Sequence, residues 1–270
     1  MGDSYATWAA GLLYAVATAM LVSRLRADQF APSGRRTPLI FGALAGLLHL
    51  GHHWAISSAI GGPDLSFFSA LSLVGLGMAG MSVLVGWFRP VETIGVVVFP
   101  LATVLLLFDH FLGNPHVSAV TGTWQIKLHV IIALLAYAVL SIAALVAIVL
   151  AAQETALRTH RIGAQMGVFP PLSLVEGLLF QLIGAGFILL TLTLVTGTLF
   201  VEDLFHQKLA HKTILSIAAW LMFGTLLFGR WRWGWRGRRA ARLTLYGMGL
   251  LLLAFVGTKF VLEIVLQKPV

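Results

Sequence analysis

WQIKLHVIIALLAYAVLSIAALVAIVLAA, residues 124–152, is an apolar run interrupted only by Gln125, Lys127 and His129 near its start and by Tyr137 and Ser141 further on. About 20 apolar residues in helical form cross a hydrocarbon core, whereas the strands of a membrane barrel alternate apolar and polar over about ten. This run is too long for such a strand and does not alternate. It reads as a membrane-spanning helix, which closes its backbone hydrogen bonds within the segment.

Working outward, comparable runs occur at 5–23, 38–57, 67–87, 93–112, 175–198, 213–229 and 242–265, each bounded by charge or by Gly and Pro. The expectation is an all-α, polytopic membrane helix bundle of eight transmembrane helices in one integral domain, 1–270, with no internal repeat. Composition agrees: 59% of residues are hydrophobic, 10% are charged, and the mean hydropathy is +0.92. A soluble domain this apolar would aggregate.

Arg24, Arg26, Arg35, Arg36, Arg89, Arg158, Arg161, Arg230, Arg232, Arg236, Arg238, Arg239 and Arg242 all follow spans one, three, five and seven. The positive-inside rule makes those loops cytoplasmic and places both termini outside. Asp3, with no Lys or Arg beside it, argues against a cleaved signal peptide. The net charge of +8 is thereby assigned to topology and anionic lipid, not to nucleic acid. Trp231, Trp233 and Trp235 among the last arginines suit an interfacial anchor. The absence of cysteine excludes thioether haem attachment, thiolate iron ligation and disulfide reduction by this chain alone.

Small residues four apart, Ala143, Ala147 and Ala151 in span five and Gly75 and Ala79 in span three, predict helix contact faces. Pro100 removes a backbone hydrogen bond inside span four. Residues 200–211 pattern as a short amphipathic interfacial helix.

Eight of the nine histidines fall at or near the outer side of this layout, and only His160 is cytoplasmic. Neutral imidazole ligates haem iron, zinc or copper, and is costly in lipid unless paired. His129 and His211 can each project from a helix end toward the bundle centre, which leaves two readings level: ordinary helix-end histidines, or a pair, one from each helix, that clamps a haem from both faces. His49 and His53 are one turn apart, which suits a single metal ion, with His52 or His110 as a third ligand. A hydrogen bond across helices accounts for His49 equally well. His110, His116 and His206 read as interfacial or loop histidines. Lys259 and Glu263 are one helical turn apart, either neutralising each other or anchoring an anionic group.

LHVIIALLAYAVLSIAAL at 128–145, PPLSLVEGLLFQLIGAGFILLTLTLVTGTLF at 170–200 and HKTILSIAAWLMFGTLLFGRWRWGWRGRRAARLTLYGMGLLLLAFVGTKF at 211–260 resemble the cytochrome c assembly protein family. The likeness is specific over 124–265 and is greatest to the small eight-helix CcsA-related YpjD branch of bacterial inner-membrane proteins. In the assembly members a tryptophan-rich outer segment with a WWD signature presents haem between flanking histidines. The resemblance implies that His129 matches the first of these. Where those members run into Asp-Pro-Lys, this chain reads VEDLFHQKLAHKT, which keeps Lys212 but replaces the aromatic platform. The second flanking histidine falls around Leu266, and a further membrane histidine near Phe228. His211, just before Lys212, is the expected substitute partner for His129, an expectation from this chain's own residues and not a feature of the family.

The leading expectation is therefore a haem-binding or haem-handling protein at the periplasmic face in cytochrome c biogenesis. Its expected partners are haem, membrane lipid and other biogenesis proteins of the membrane. The alternatives are a haem-free membrane assembly or scaffold factor, and a metal or solute transporter using His49, His53 and Glu263. Against the transporter stand the few carboxylates within spans and the absence of broken helices. No nucleophile with its base can be placed by spacing, which argues against an enzyme.

Overall fold

The computed structural model describes residues 2–26, 34, 36–89, 94–113, 123–158, 171–200 and 210–257. Eight α-helices occur among them: α1 Gly2–Arg26, α2 Arg36–Ile60, α3 Phe67–Phe88, α4 Gly95–Leu112, α5 Trp124–Arg158, α6 Leu172–Phe200, α7 Ala210–Trp233 and α8 Gly237–Leu252. A π turn, Leu253–Gly257, follows α8. The first seven are long and apolar enough to cross a membrane. The protein is a polytopic helical membrane protein, as the apolar runs predict.

Helix ends extend beyond those runs. α5 continues to Arg158 through QETALR, whose residues are good helix formers apart from Thr although four of the six are polar. α8 starts at Gly237, five residues before the expected 242, because its first turns are basic and amphipathic. Residues 258–265 of the expected eighth span, with Lys259 and Glu263, lie outside the described residues. So do the interfacial segment at 201–209, His116, His160 and His206.

The chain forms two compact units, Met1–Thr121 with Pro269–Val270, and Gly122–Lys268. In the first, α1 packs on α2, α2 on α3, α3 on α4, and α4 back on α1. In the second, α5–α6, α6–α7, α7–α8 and α8–α5 contacts close a second four-helix bundle. Lateral faces carry large apolar residues open to lipid, such as Leu12, Leu47, Ile131, Ile188 and Leu221.

Small residues set the interior spacing. Ala143 and Ala147 are fully buried, as the every-fourth pattern predicts. A Cβ on Gly75 of α3 would stand 3.4 Å from the Ala102 Cα of α4, so these two backbones approach closely. Gly186 of α6 makes room for Leu140 of α5, and Gly247 of α8 for the ring of Phe223 of α7. Side chains with branched or longer stems would separate these helices.

Two of the connections between helices are themselves ordered by side chains. Between α2 and α3, Gly61 adopts φ +77°, and the Asp64 carboxylate accepts the Ser66 backbone N–H at 2.8 Å. This Asx turn starts α3 and holds the carboxylate over its first turn. Between α7 and α8, Gly234 and Gly237 take φ +64° and +59°. Trp235 stacks on Trp233, and Arg239 lies 3.9 Å above the Trp235 ring, so these aromatic and basic residues form a packed corner.

Candidate functional site

In the second unit, His129 sits in the second turn of α5, half-buried against α6. Its Nδ1 lies 2.9 Å from Thr196 Oγ1. The Thr196 hydroxyl donates to the Leu192 carbonyl at 2.7 Å, which commits its one hydrogen. Thr196 therefore accepts from His129, Nδ1 carries the ring proton, and Nε2 keeps the lone pair. That tautomer is the one in which a histidine binds a metal through Nε2 while its other nitrogen is held by a neighbour. Gly197 completes the seat: a Cβ there would stand 3.2 Å from His129 Cε1.

His211 lies exposed in the first turn of α7, next to Lys212. Lys212 is near enough for its charge to act on His129, and its Nζ lies 5.9 Å from the Phe255 ring centroid. A basic group thus accompanies the half-buried imidazole. Behind it, Tyr137 of α5 donates to the Leu251 carbonyl at 2.9 Å, just before the π turn. Phe228, where the family's further histidine would fall, is an exposed apolar residue of α7.

The first unit holds a different assembly. His49, His52 and His53 all point inward from α2 and are buried. His49 and His53 share a face, as their spacing predicts, with rings stacked at 5.4 Å. Both present Nε2 to one hydroxyl, Ser72 Oγ of α3, at 2.9 and 3.0 Å. Tyr14 of α1 reaches His49 Nδ1 at 3.5 Å. The cross-helix hydrogen bond is thus the arrangement found for His49. Among the described residues no three His, Asp or Glu side chains are grouped to hold a metal ion.

His52 faces the other way. Its Nε2 is 3.2 Å from Asp109 Oδ2 of α4, and its Nδ1 is 3.0 Å from Thr7 Oγ1 of α1. His53 Nδ1 lies 3.8 Å from the same Asp109 oxygen. Ser69 of α3 joins Asp109 to Asp64, and the His110 ring packs edge-on to His52 at 6.1 Å. Asp109 is 4% exposed, and a carboxylate is tolerated in a membrane helix here because both its oxygens have polar partners, Ser69 on Oδ1 and His52 on Oδ2.

Sequence reasoning pointed to the three α2 histidines but missed Thr7, Tyr14, Asp64, Ser69, Ser72 and Asp109. The available signals were Ser69 and Ser72 three apart on one helix face, and an aspartate closing an otherwise apolar span. The expected shortage of carboxylates within spans reflects the same omission, since Asp109 lies inside α4.

Residues 37–266 match the family model described as Cytochrome C assembly protein. The inner membrane protein YpjD of Escherichia coli (strain K12) is 31% identical over 204 residues, covering 76% of this chain and 77% of that protein. An uncharacterized 28.8 kDa protein of Azospirillum brasilense is 37% identical over 147 residues, 54% of each chain. The cytochrome c biogenesis protein CcsA of Synechococcus sp. (strain JA-3-3Ab) is 25% identical over 258 residues, covering 73% of this chain and 75% of that one. No solved structure matches.

Proposed function

Because the chain belongs to the cytochrome c assembly protein family, we propose that it is a bacterial inner-membrane protein that binds haem and handles it at the periplasmic face during cytochrome c biogenesis. The observation that carries this reading is the seat of His129. Thr196 holds the Nδ1 proton and so leaves Nε2 as the ligating atom, while Gly197 opens the space beside the ring. These residues would hold haem iron through the His129 imidazole nitrogen.

His211, in the first turn of α7, supplies the second imidazole. Lys212 beside it offers the positive charge that a propionate requires. The arginine-bearing helix ends face the cytoplasm, which puts His129 and His211 toward the periplasm. Bound haem supplies a redox-active iron and a visible spectrum. The chain's own contribution would be to orient two imidazoles and to set a positive charge beside the propionate edge. With no cysteine to form a thioether bond, it acts as an accessory that delivers or retains haem beside other biogenesis proteins.

The test is the oxidised and dithionite-reduced visible spectrum of the detergent-purified protein from haem-supplemented cells. Ligation by two histidines predicts a low-spin spectrum that is lost or shifted in His129→Ala and in His211→Ala. A colourless wild type, or a spectrum unchanged in His129→Ala, overturns the assignment and favours a haem-free assembly factor.

A further inference from the structure

Toward the end of α7 opposite His211, α7 and α8 leave between them an open cleft of about 220 Å3, lined by Thr225, Trp235, Arg239, Arg242, Leu243 and Tyr246. Helix register explains the lining. Arg239 and Arg242 are three apart on α8, and Leu243 and Tyr246 follow them by four, so all four stand on one face. Trp235 closes the cleft at the corner between the helices, and Thr225 joins it from α7.

The polar groups of this cleft lack protein partners. Thr191, Thr193 and Thr244 each donate to the carbonyl one turn earlier in their own helix, at 2.7, 2.9 and 2.9 Å, as threonines inside helices commonly do. Thr225 makes no hydrogen bond among the described residues, and neither do Arg239 and Arg242. The described carboxylates of this unit are committed elsewhere: Glu176 bonds Arg230 at 2.7 Å and Glu154 bonds Arg158 at 3.1 Å. A Cβ on Gly237 would stand 3.0 Å from Glu154 Oε2, so the start of α8 already faces a carboxylate. What the cleft offers an anion is therefore its two arginines, not the helix end. Arg239 is held 3.9 Å over the Trp235 ring, and a guanidinium so stacked gives up little further freedom when its fork takes a phosphate.

The surroundings favour a lipid as the source of that phosphate. Beyond Thr225 and Tyr246, one turn further from the corner, stand Leu221 on α7 and Leu250 on α8, and Leu221 and Tyr246 are exposed. A group seated between the arginines thus has an apolar track beside it. The cleft is also smaller than the about 300–1,000 Å3 of sites that enclose a small molecule, which fits a ligand that leaves most of itself in the bilayer.

We propose that this cleft binds the headgroup of one anionic phospholipid, with Arg239 and Arg242 on the phosphate oxygens, Thr225 as a hydroxyl donor and the acyl chains along Leu221 and Leu250. Basic pockets between membrane helices are a recurrent form of headgroup recognition. A zwitterionic lipid carries the same phosphate but brings its own cation, which two uncompensated arginines repel, so the site selects anionic headgroups. The bound lipid ties the corner at Trp235 to the face of α7. The site shares no residue with the seat of His129, and the two readings stand or fall separately.

The experiment is native mass spectrometry of the full-length, delipidated protein in detergent, from cells grown without haem supplement. Phosphatidylglycerol, phosphatidylcholine and inorganic phosphate are added singly, and then phosphate in excess over bound phosphatidylglycerol. The wild type should retain one phosphatidylglycerol in preference to phosphatidylcholine and should not lose it to inorganic phosphate. Arg242 is exposed and bonds nothing in the fold, so Arg242→Gln should leave the protein intact and weaken retention about tenfold, the loss of one charge-assisted bond. Arg239→Gln should act in the same direction. Arg232 is exposed and outside the cleft, so Arg232→Gln removes equal charge and should leave retention unchanged. Equal retention of the two lipids, displacement by inorganic phosphate, or equal retention by Arg242→Gln and Arg232→Gln overturns the proposal.

Discussion

Replacing Ser72 by Ala removes a single oxygen that serves two imidazoles. His49 Nε2 and His53 Nε2 lie 2.9 and 3.0 Å from it, and their residues are 0% and 6% exposed, so neither lipid nor water replaces the lost partner. Polar side-chain bonds between membrane helices average about 0.6 kcal/mol, whereas a buried polar group left without a partner costs about 1–3 kcal/mol. Two groups are stranded here in a closed network, so the larger figure governs. Ser72→Ala should cost about 2 kcal/mol, a change of about thirtyfold in the folding equilibrium.

The same helix contains its own control. Ser82 is 4% exposed, and its hydroxyl has no hydrogen-bond partner. Ser82→Ala removes the same atom from the same helix at similar burial, and should be neutral or slightly stabilising because an unsatisfied polar atom is deleted. The assay is unfolding in mixed micelles by titration with a denaturing detergent, followed by tryptophan fluorescence. Equal midpoints for the two variants would refute the reasoning, since they would show that the Ser72 hydroxyl contributes nothing beyond its volume.

In the second unit, Gly197→Ala should place a methyl 3.2 Å from His129 Cε1, tighter than ordinary contact, and push the imidazole off Thr196; visible spectra of haem-loaded protein should show weakened or altered ligation while circular dichroism stays unchanged. Arg230 bonds Glu176 at 2.7 Å and lies 4.7 Å over the Phe180 ring, tying α7 to α6. Arg230→Lys keeps the charge but loses the planar fork that stacks, and should cost on the order of 1 kcal/mol, read as a lower thermal midpoint that Glu176→Gln does not lower additively.

The eight helices could be read from the sequence because lipid imposes a local rule. Each stretch must satisfy its own backbone and show apolar side chains outward, so composition over about 20 residues is enough. The small-residue seam at Ala143 and Ala147 was legible for the same reason, as a repeat on one helix face. Helix ends were less so: QETALR after the apolar part of α5 carries Gln, Glu, Thr and Arg but remains helical, and hydropathy does not register that.

The site residues divide along the same line. His129 stood out from its place in a resembling segment, and the three histidines of α2 from their type. Their chemistry depends on partners that no spacing reveals: Thr196 is 67 residues from His129, Asp109 is 57 from His52, and Ser69 is 40 from Asp109. Sequence by itself determined that these polar groups had to be paired, because an unpaired one is costly in lipid. Only the packing of α1, α2, α3 and α4 decided which groups meet. One serine hydroxyl, Ser69, reaches both Asp64 and Asp109 because that packing brings together carboxyls distant in the chain.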